Sequence, residues 1–431
     1  MNNALGLMKE RRFLPLFVTQ FLGALNDNLF KQAMILVVVY QIYNDPAAEQ
    51  SFNGLASALS IIPFVLLSAL AGQLADTHDK TRIIRIVKTA EILIMLVGGA
   101  GLLLAKYGQA SLGLAMMLTA VLALGIHSAF FGPIKYAILP QHLKEDEVLA
   151  GTGLVESATY IAILTGTILA GFMKVEHAVI GTLAFAAIGW FAARRIPLAP
   201  RQGPQLKINY NPFTSSWRLI NGTMHIPRLF LAICAISFFW AMGIVLIVVF
   251  TPLAKNVLTA DKHVATLLTA LFSIGIAVGS VAINSLLKGH TSARFGPASV
   301  LIMGGCVILF SILCRTWPPA DASHLYTVVE FIELPRAWLI VAALVGIAVF
   351  GGMFVVPLYA FLTTTVTKDE TARTVAANNV VNSGSMAVGA GMVTLLTNWG
   401  VGSADMLLLV AGMCPIAAWL AWKLHKACDK D

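Results

Sequence analysis

A short polar run inside an apolar stretch holds the residues best placed to do chemistry. Phe13 to Tyr43 is mostly apolar, yet its middle reads Gly23-Ala24-Leu25-Asn26-Asp27-Asn28-Leu29-Phe30-Lys31-Gln32. At about 100° per residue, Gln20, Gly23, Asp27 and Lys31 share one helical face. The segment is long enough to cross a bilayer. An ionised group at mid-bilayer costs roughly 2.5 kcal/mol or more, so this face should line a protein interior or a watery cavity. The chemistry open to it is recognition by charge-assisted hydrogen bonds. Asp27 suits a cationic group and Lys31 an anionic one, with Gln20, Asn26 and Asn28 as polar neighbours. The competing reading is an i, i+4 ion pair between Asp27 and Lys31 that only steadies the helix.

The elements that must position this face are membrane helices. Of 431 residues, 58% are hydrophobic and 12% charged, about half the charge of a soluble domain. The mean hydropathy of +0.81 defines a polytopic membrane protein. Twelve stretches reach the roughly 20 apolar residues that a span needs. The first is Phe13–Tyr43, followed by 52–75, 83–105, 111–131, 149–173 and 178–196, then 229–253, 264–287, 297–314, 337–362, 374–397 and 406–424. The expected fold is all-α: two pseudo-symmetric bundles of six helices, 1–196 and 229–431, joined by a linker over 197–228. With the N-terminus inside, 22 Lys and Arg fall in inside segments and 6 in outside ones. That bias predicts cytoplasmic termini and a cytoplasmic linker. It also accounts for the net charge of +8, so nucleic acid is not an expected partner. Lys9-Glu10-Arg11-Arg12 before an apolar run mimics a signal peptide, but the run is too long and is broken by Asn26-Asp27-Asn28. The five cysteines lack metal spacing and read as small core residues. No metal or cofactor is expected.

The halves repeat. One shift of 223 residues carries Tyr136 onto Tyr359, Asp146-Glu147 onto Asp369-Glu370, and Glu156 onto Asn379. Parallel halves of this kind place a substrate site at mid-membrane where they meet. Glu156 in span five and Asn378, Asn379 and Asn382 in span eleven are therefore candidate substrate contacts, or interhelical hydrogen bonders. Lys88 and Glu91 read as an intrahelical pair near the cytoplasmic end of span three, with Lys88 snorkelling. His127 reads as a packed histidine. Small-residue faces such as Gly275-x-x-x-Gly279, and Gly384, Gly389 and Gly391, read as close helix contacts.

Between spans two and three stands Gly72-Gln73-Leu74-Ala75-Asp76-Thr77-His78-Asp79-Lys80-Thr81-Arg82. It resembles the signature G-x-L-a-D-r-x-G-r-k-x-x-l of the major facilitator superfamily, with Asp79 in place of the second glycine. The resemblance implies a cytoplasmic conformational latch made by Gly72, Asp76, Lys80 and Arg82, with Lys135 nearby, and an Asp76 that stabilises the outward-open state. Five further stretches resemble bacterial lysophospholipid transporters, above all the transporter modules fused to acyltransferases. They are Phe21 to Lys31, Gly132 to Leu139, Gly153 to Thr159, Val356 to Ala360 and Ala376 to Asn382. This resemblance implies a multi-pass protein of the bacterial inner membrane. It would flip lysophosphatidylethanolamine and similar monoacyl phospholipids from the outer to the inner leaflet for re-acylation. Its partners would be lysophospholipid substrate and membrane lipid, and the protein would be a monomer. The chain stops at Asp431, so any acyltransferase partner is expected to be a separate cytoplasmic protein. Stand-alone members carry a basic residue in span seven; Leu229 to Leu253 has none, and Lys31 is the candidate replacement.

Two carrier functions stay open on the residues alone. One is lysophospholipid flipping; the other is proton-coupled transport of a small polar or amphipathic solute, with Asp27 or Glu156 as the coupling carboxylate. An enzyme is not expected: the sequence has neither an HxxxxD acyltransferase motif nor a GxSxG elbow.

Overall fold

The computed structural model describes residues 6–201, 208–287, 292–318, 324–364 and 368–428, without some side chains inside the helices. Twelve long helices follow one another. They are α1 (Leu14–Val37), α2 (Pro46–Thr77), α3 (Lys80–Lys106), α4 (Ala110–Ala137), α5 (Glu145–Phe172), α6 (Val175–Arg194), α7 (Pro227–Asn256), α8 (Lys262–Leu286), α9 (Gly296–Arg315), α10 (Pro335–Thr364), α11 (Lys368–Asn398) and α12 (Ser403–Cys428). Eleven of them are long and apolar enough to span a membrane; in α5 the apolar part is Ile161–Phe172. The protein is a multi-pass, all-helical membrane protein. Large apolar side chains stay exposed on the helix surfaces, as lipid-facing walls require: Ile86 is 70% exposed and Val281 67%.

Local sequence explains the helix ends. Pro15 sits in the first turn of α1, where a missing N–H costs nothing. The last five residues of that span, Val38–Ile42, wind as a π-helix. Asp79 answers the departure from the signature glycine. It is the N-cap of α3, with extended backbone, and its carboxylate accepts from Thr81 N (2.8 Å) and Arg82 N (3.3 Å). Asp79→Ala should therefore cost about 1 kcal/mol of stability and Asp79→Gly only a few tenths. Thermal denaturation of the purified protein would check this; equal losses for the two variants would contradict the capping role.

The chain forms two compact units, Met1–Ile42 with Leu66–Ser215, and Tyr43–Val65 with Ser216–Asp431. In the first, α1 packs on α5 and α6, and α3 on α4 and α6. Arg12 joins the start of α1 to the start of α5 through Glu147 (2.8 Å). The hydrogen bond from Arg12 holds the Glu147 carboxyl below its ordinary range. Lys80 N, Thr81 Oγ1 and Arg85 Nη2 donate to carbonyls of Ala199, Pro197 and Ile196, which ties the α2–α3 turn to the chain leaving α6.

In the second unit, α7 packs on α11 and α12, α8 on α10, and α9 on α10 and α12. The small-residue faces act unequally. A Cβ on Gly279 would collide with Val349 O, and one on Gly275 would lie 2.6 Å from Ala348 Cβ, so α8 and α10 approach backbone to backbone. A Cβ on Gly389 would meet the Ile244 side chain at 2.8 Å and Ala241 O at 3.1 Å, whereas Gly384 and Gly391 face nothing within 4 Å. The first part of α2 belongs to this unit. Glu49 on it is fully buried and accepts from Lys255 Nζ (2.5 Å) and Asn256 Nδ2 (2.5 Å) of α7. Its neighbour Gln50 accepts from Ser403 Oγ of α12 (2.9 Å). The stretch read as a plain linker holds a helix, Pro212–Met224. Asn211 Oδ1 caps it by accepting from Phe213 N (3.0 Å) and Thr214 N (3.1 Å), a local turn chemistry that outweighs the proline-rich composition around it.

Candidate functional site

The first unit gathers ionisable groups from three helices. α1 contributes Asn26 and Asp27, α3 contributes Lys88 and Glu91, and α4 contributes His127 and Ser128. Lys88 and Glu91 are both fully buried and form an ion pair one helical turn apart. Asn26 Nδ2 donates to Glu91 Oε1 (2.9 Å), and His127 Nε2 lies 3.2 Å from Glu91 Oε2. Ser128 Oγ donates to Asp27 Oδ2 (2.9 Å). Two glycines make room for the ammonium: a Cβ on Gly23 would stand 3.1 Å from Lys88 Nζ and one on Gly189 3.3 Å from it. Four shielded atoms here have no hydrogen-bond partner among the described residues: Asn26 Oδ1, Asp27 Oδ1 and both ring nitrogens of His127.

This corrects the sequence reading of Lys88. Counting the span from Ile83 put Lys88 near a membrane surface. The helix starts at Lys80, so Lys88 stands about 12 Å in at 1.5 Å per residue. It is held inside by Glu91 and does not snorkel. A carboxylate, an ammonium and an imidazole inside membrane spans were themselves the signal for a polar site.

The other candidates on α1 take different partners. Gln20 is buried, donates to Val155 O (3.0 Å) and accepts from Thr159 Oγ1 (3.1 Å), so its amide joins α1 to α5. Asn28 donates back to Ala24 O (2.8 Å) along its own helix. Asp27 and Lys31 are half-buried, and no hydrogen bond or salt bridge between them is present among the described residues. The side chains of Glu156 and Asp76 lie outside the described residues. Gly72 has open space where a Cβ would point. Lys80 is buried and Arg82 exposed, and Lys135 is half-buried at the end of α4.

In the second unit, Asn382 belongs to a buried network that sequence alone did not reveal. Its Oδ1 accepts from Ser237 Oγ (2.7 Å) and its Nδ2 donates to Tyr359 Oη (3.3 Å), to which Trp240 Nε1 also donates (2.7 Å). Asn378, one turn away, is fully buried with both amide atoms unpartnered. Asn379 is exposed.

Long apolar helices enclosing charged side chains suit a membrane carrier, and the chain belongs to the Major Facilitator Superfamily, whose family model matches residues 16–390. Within it, the chain is similar to the lysophospholipid transporter LplT of Cronobacter sakazakii, 27% identical over 94% of this chain and 88% of that protein. It is 25% identical to LplT of Photorhabdus laumondii, over 91% and 85%. Among solved structures, the D-xylose-proton symporter superposes with a TM-score of 0.69 at 12% identity, covering 96% of this chain and 98% of that one. A bacterial homologue of the iron transporter ferroportin, inward-facing, reaches 0.70 at 11% identity, covering 96% and 98%. These structures support the fold.

Proposed function

We propose that the chain is a lysophospholipid transporter. It would move lysophosphatidylethanolamine and similar monoacyl phospholipids from the outer to the inner leaflet of a bacterial inner membrane by alternating access. The observation that carries this reading is the similarity to two proteins named lysophospholipid transporter across more than nine-tenths of the chain. The polar face of α1 agrees with it. A lysophosphatidylethanolamine head carries an ammonium and a phosphate, and α1 offers Asp27 to the first and Lys31 to the second. Gln20, Asn26, Asn28 and Glu156 in the first half, and Asn378, Asn379 and Asn382 in the second, would be further substrate contacts. Asn378 is the strongest of these three, since a buried amide with no partner suits a ligand.

The bias of basic residues supports cytoplasmic termini. Gly72, Asp76, Lys80, Arg82 and Lys135 would form the cytoplasmic latch, and a separate acyltransferase would use the delivered lipid. The test is uptake of labelled lysophosphatidylethanolamine by proteoliposomes holding the purified chain. Faster entry than in protein-free liposomes is expected, without movement of the two-chain phosphatidylethanolamine. Equal rates with and without protein would overturn the reading.

A further inference from the structure

The linker helix Pro212–Met224 is turned inside out for a helix resting on protein. Such a helix ordinarily buries its apolar stripe and shows water its polar side. Here the buried residues are Ser215, Ser216 and Thr223. Ser215 Oγ accepts from Gln73 Nε2 (3.0 Å) and donates to Asn209 O (3.0 Å), while Asn209 N donates to Gln73 Oε1 (2.7 Å). Ser216 Oγ donates to Val65 O (3.3 Å). Hydroxyls and an amide thus pin the helix to α2, and Gln73 stands about one turn from the end of α2 at Thr77.

The apolar stripe points elsewhere. Phe213, Trp217, Ile220 and Met224 recur at steps of four, three and four, so they share one side of the helix. Phe213 is 71% exposed and Trp217 69%, and Tyr210, three residues before Phe213, is 71% exposed. Ile220 and Met224 are half-buried. A third side carries Thr214, Arg218 and Asn221, all exposed. Basic charge surrounds the helix: 194–228 holds six Lys and Arg and no Asp or Glu. Arg201 and Arg218 are exposed and, among the described residues, form no salt bridge.

We propose that this helix lies in the membrane surface, with Phe213 and Trp217 seated among the upper acyl chains and Arg201 and Arg218 set against the phosphates of anionic lipid. The three sides then meet three surroundings: hydroxyls on α2, aromatic rings in lipid, Arg218 and Asn221 among head groups and water. Trp and Phe on one side with Arg on another is the composition of a helix that lies in the interface plane. A basic run without carboxylates is drawn to an anionic leaflet. Gln73 belongs to the signature segment Gly72 to Arg82 and holds both Asn209 and Ser215, so the lipid-seated helix is fastened to that segment. Lipid occupies this face whichever solute the carrier moves.

Fluorescence of the full chain in liposomes tests this, with Trp217 as the probe. The chain has eight tryptophans, so the emission of Trp217→Tyr is subtracted from that of the wild type to isolate this one. Trp217→Phe serves as the reference should the tyrosine variant not insert. Phosphatidylcholine brominated near the top of its acyl chains should quench most of the difference emission, and iodide in the water little of it. No quenching by brominated lipid, whatever iodide does, would overturn the membrane seat and give the face to water or to a protein partner. A second arm puts the bromine on phosphatidylglycerol, at the same mole fraction in plain phosphatidylcholine. At low salt it should quench Trp217 more than brominated phosphatidylcholine does. That preference should fall about fivefold with Arg218→Gln and again with Arg201→Gln, the loss expected for a basic residue beside an anionic surface. Equal quenching by the two brominated lipids, or a preference that both substitutions leave intact, would overturn the part given to the arginines.

Discussion

Replacing Lys88 with methionine should destabilise the protein by roughly 3–5 kcal/mol, the cost of leaving the other half of a buried ion pair uncompensated. Glu91 is fully enclosed, and Lys88 is the permanent cation against it. Asn26 and His127 remain on the carboxylate after the substitution, but an amide dipole cannot balance a full charge in a low-dielectric interior. Methionine fills most of the volume of the lysine stem, so the loss measures charge rather than a cavity. The double variant Lys88→Met/Glu91→Gln removes both charges and should recover most of the loss. Thermal unfolding of the purified variants, read as loss of the monodisperse species on size exclusion, gives the comparison. A single variant as stable as the wild type would mean that Glu91 is compensated another way, by water or by an added proton. A double variant no better than the single one would mean that shape, not charge, sets the cost.

Asp27→Asn should weaken transport of lysophosphatidylethanolamine about 30-fold or more, with a much smaller effect on lysophosphatidylglycerol. Removing one partner of a desolvated charge pair costs roughly 2–5 kcal/mol, and only the ethanolamine head presents a cation to Asp27. The rival role for Asp27 is structural. Its Oδ2 holds Ser128 of α4, and asparagine can keep that hydrogen bond through its carbonyl oxygen. A structural role therefore predicts little change for either lipid, or equal loss if the helices shift. Rates for both lipids in proteoliposomes at matched protein amounts separate these outcomes, and equal losses would remove Asp27 from head-group recognition.

Most of the helices were legible because eleven of the twelve long ones are long apolar runs; their ends were not, since capping residues such as Asp79 and Asn211 are polar and fall outside an apolar count. The polar face of α1 was legible because its periodicity is local. What the sequence hid is pairing between distant segments. Asn26 and Glu91 are 65 residues apart, and Ser237 and Asn382 are 145 apart. Nothing in either neighbourhood names the other. Lys88 was misplaced by three residues at a helix start, since apolar counting begins at Ile83 and ignores the polar first turn that Asp79 caps. His127 reads as a packed histidine and is buried against Phe131; that Glu91 of another helix lies 3.2 Å from it could not be read from its own neighbourhood.

The buried pair of Glu49 with Lys255 also constrains how the protein is made. Glu49 reaches the membrane in the second helix, but its cation lies 206 residues later in the chain. At a synthesis rate of about 5–20 residues per second, roughly ten to forty seconds separate the two. During that interval the carboxylate has neither Lys255 nor Asn256 and must stay hydrated or protonated. Glu49 stands in the first turn of α2, at the end of the span where water is within reach. The nascent second helix can therefore wait at the membrane surface with its charge solvated, and settle to its final depth only when α7 arrives. Seating of this early helix is in that sense a late event of biogenesis.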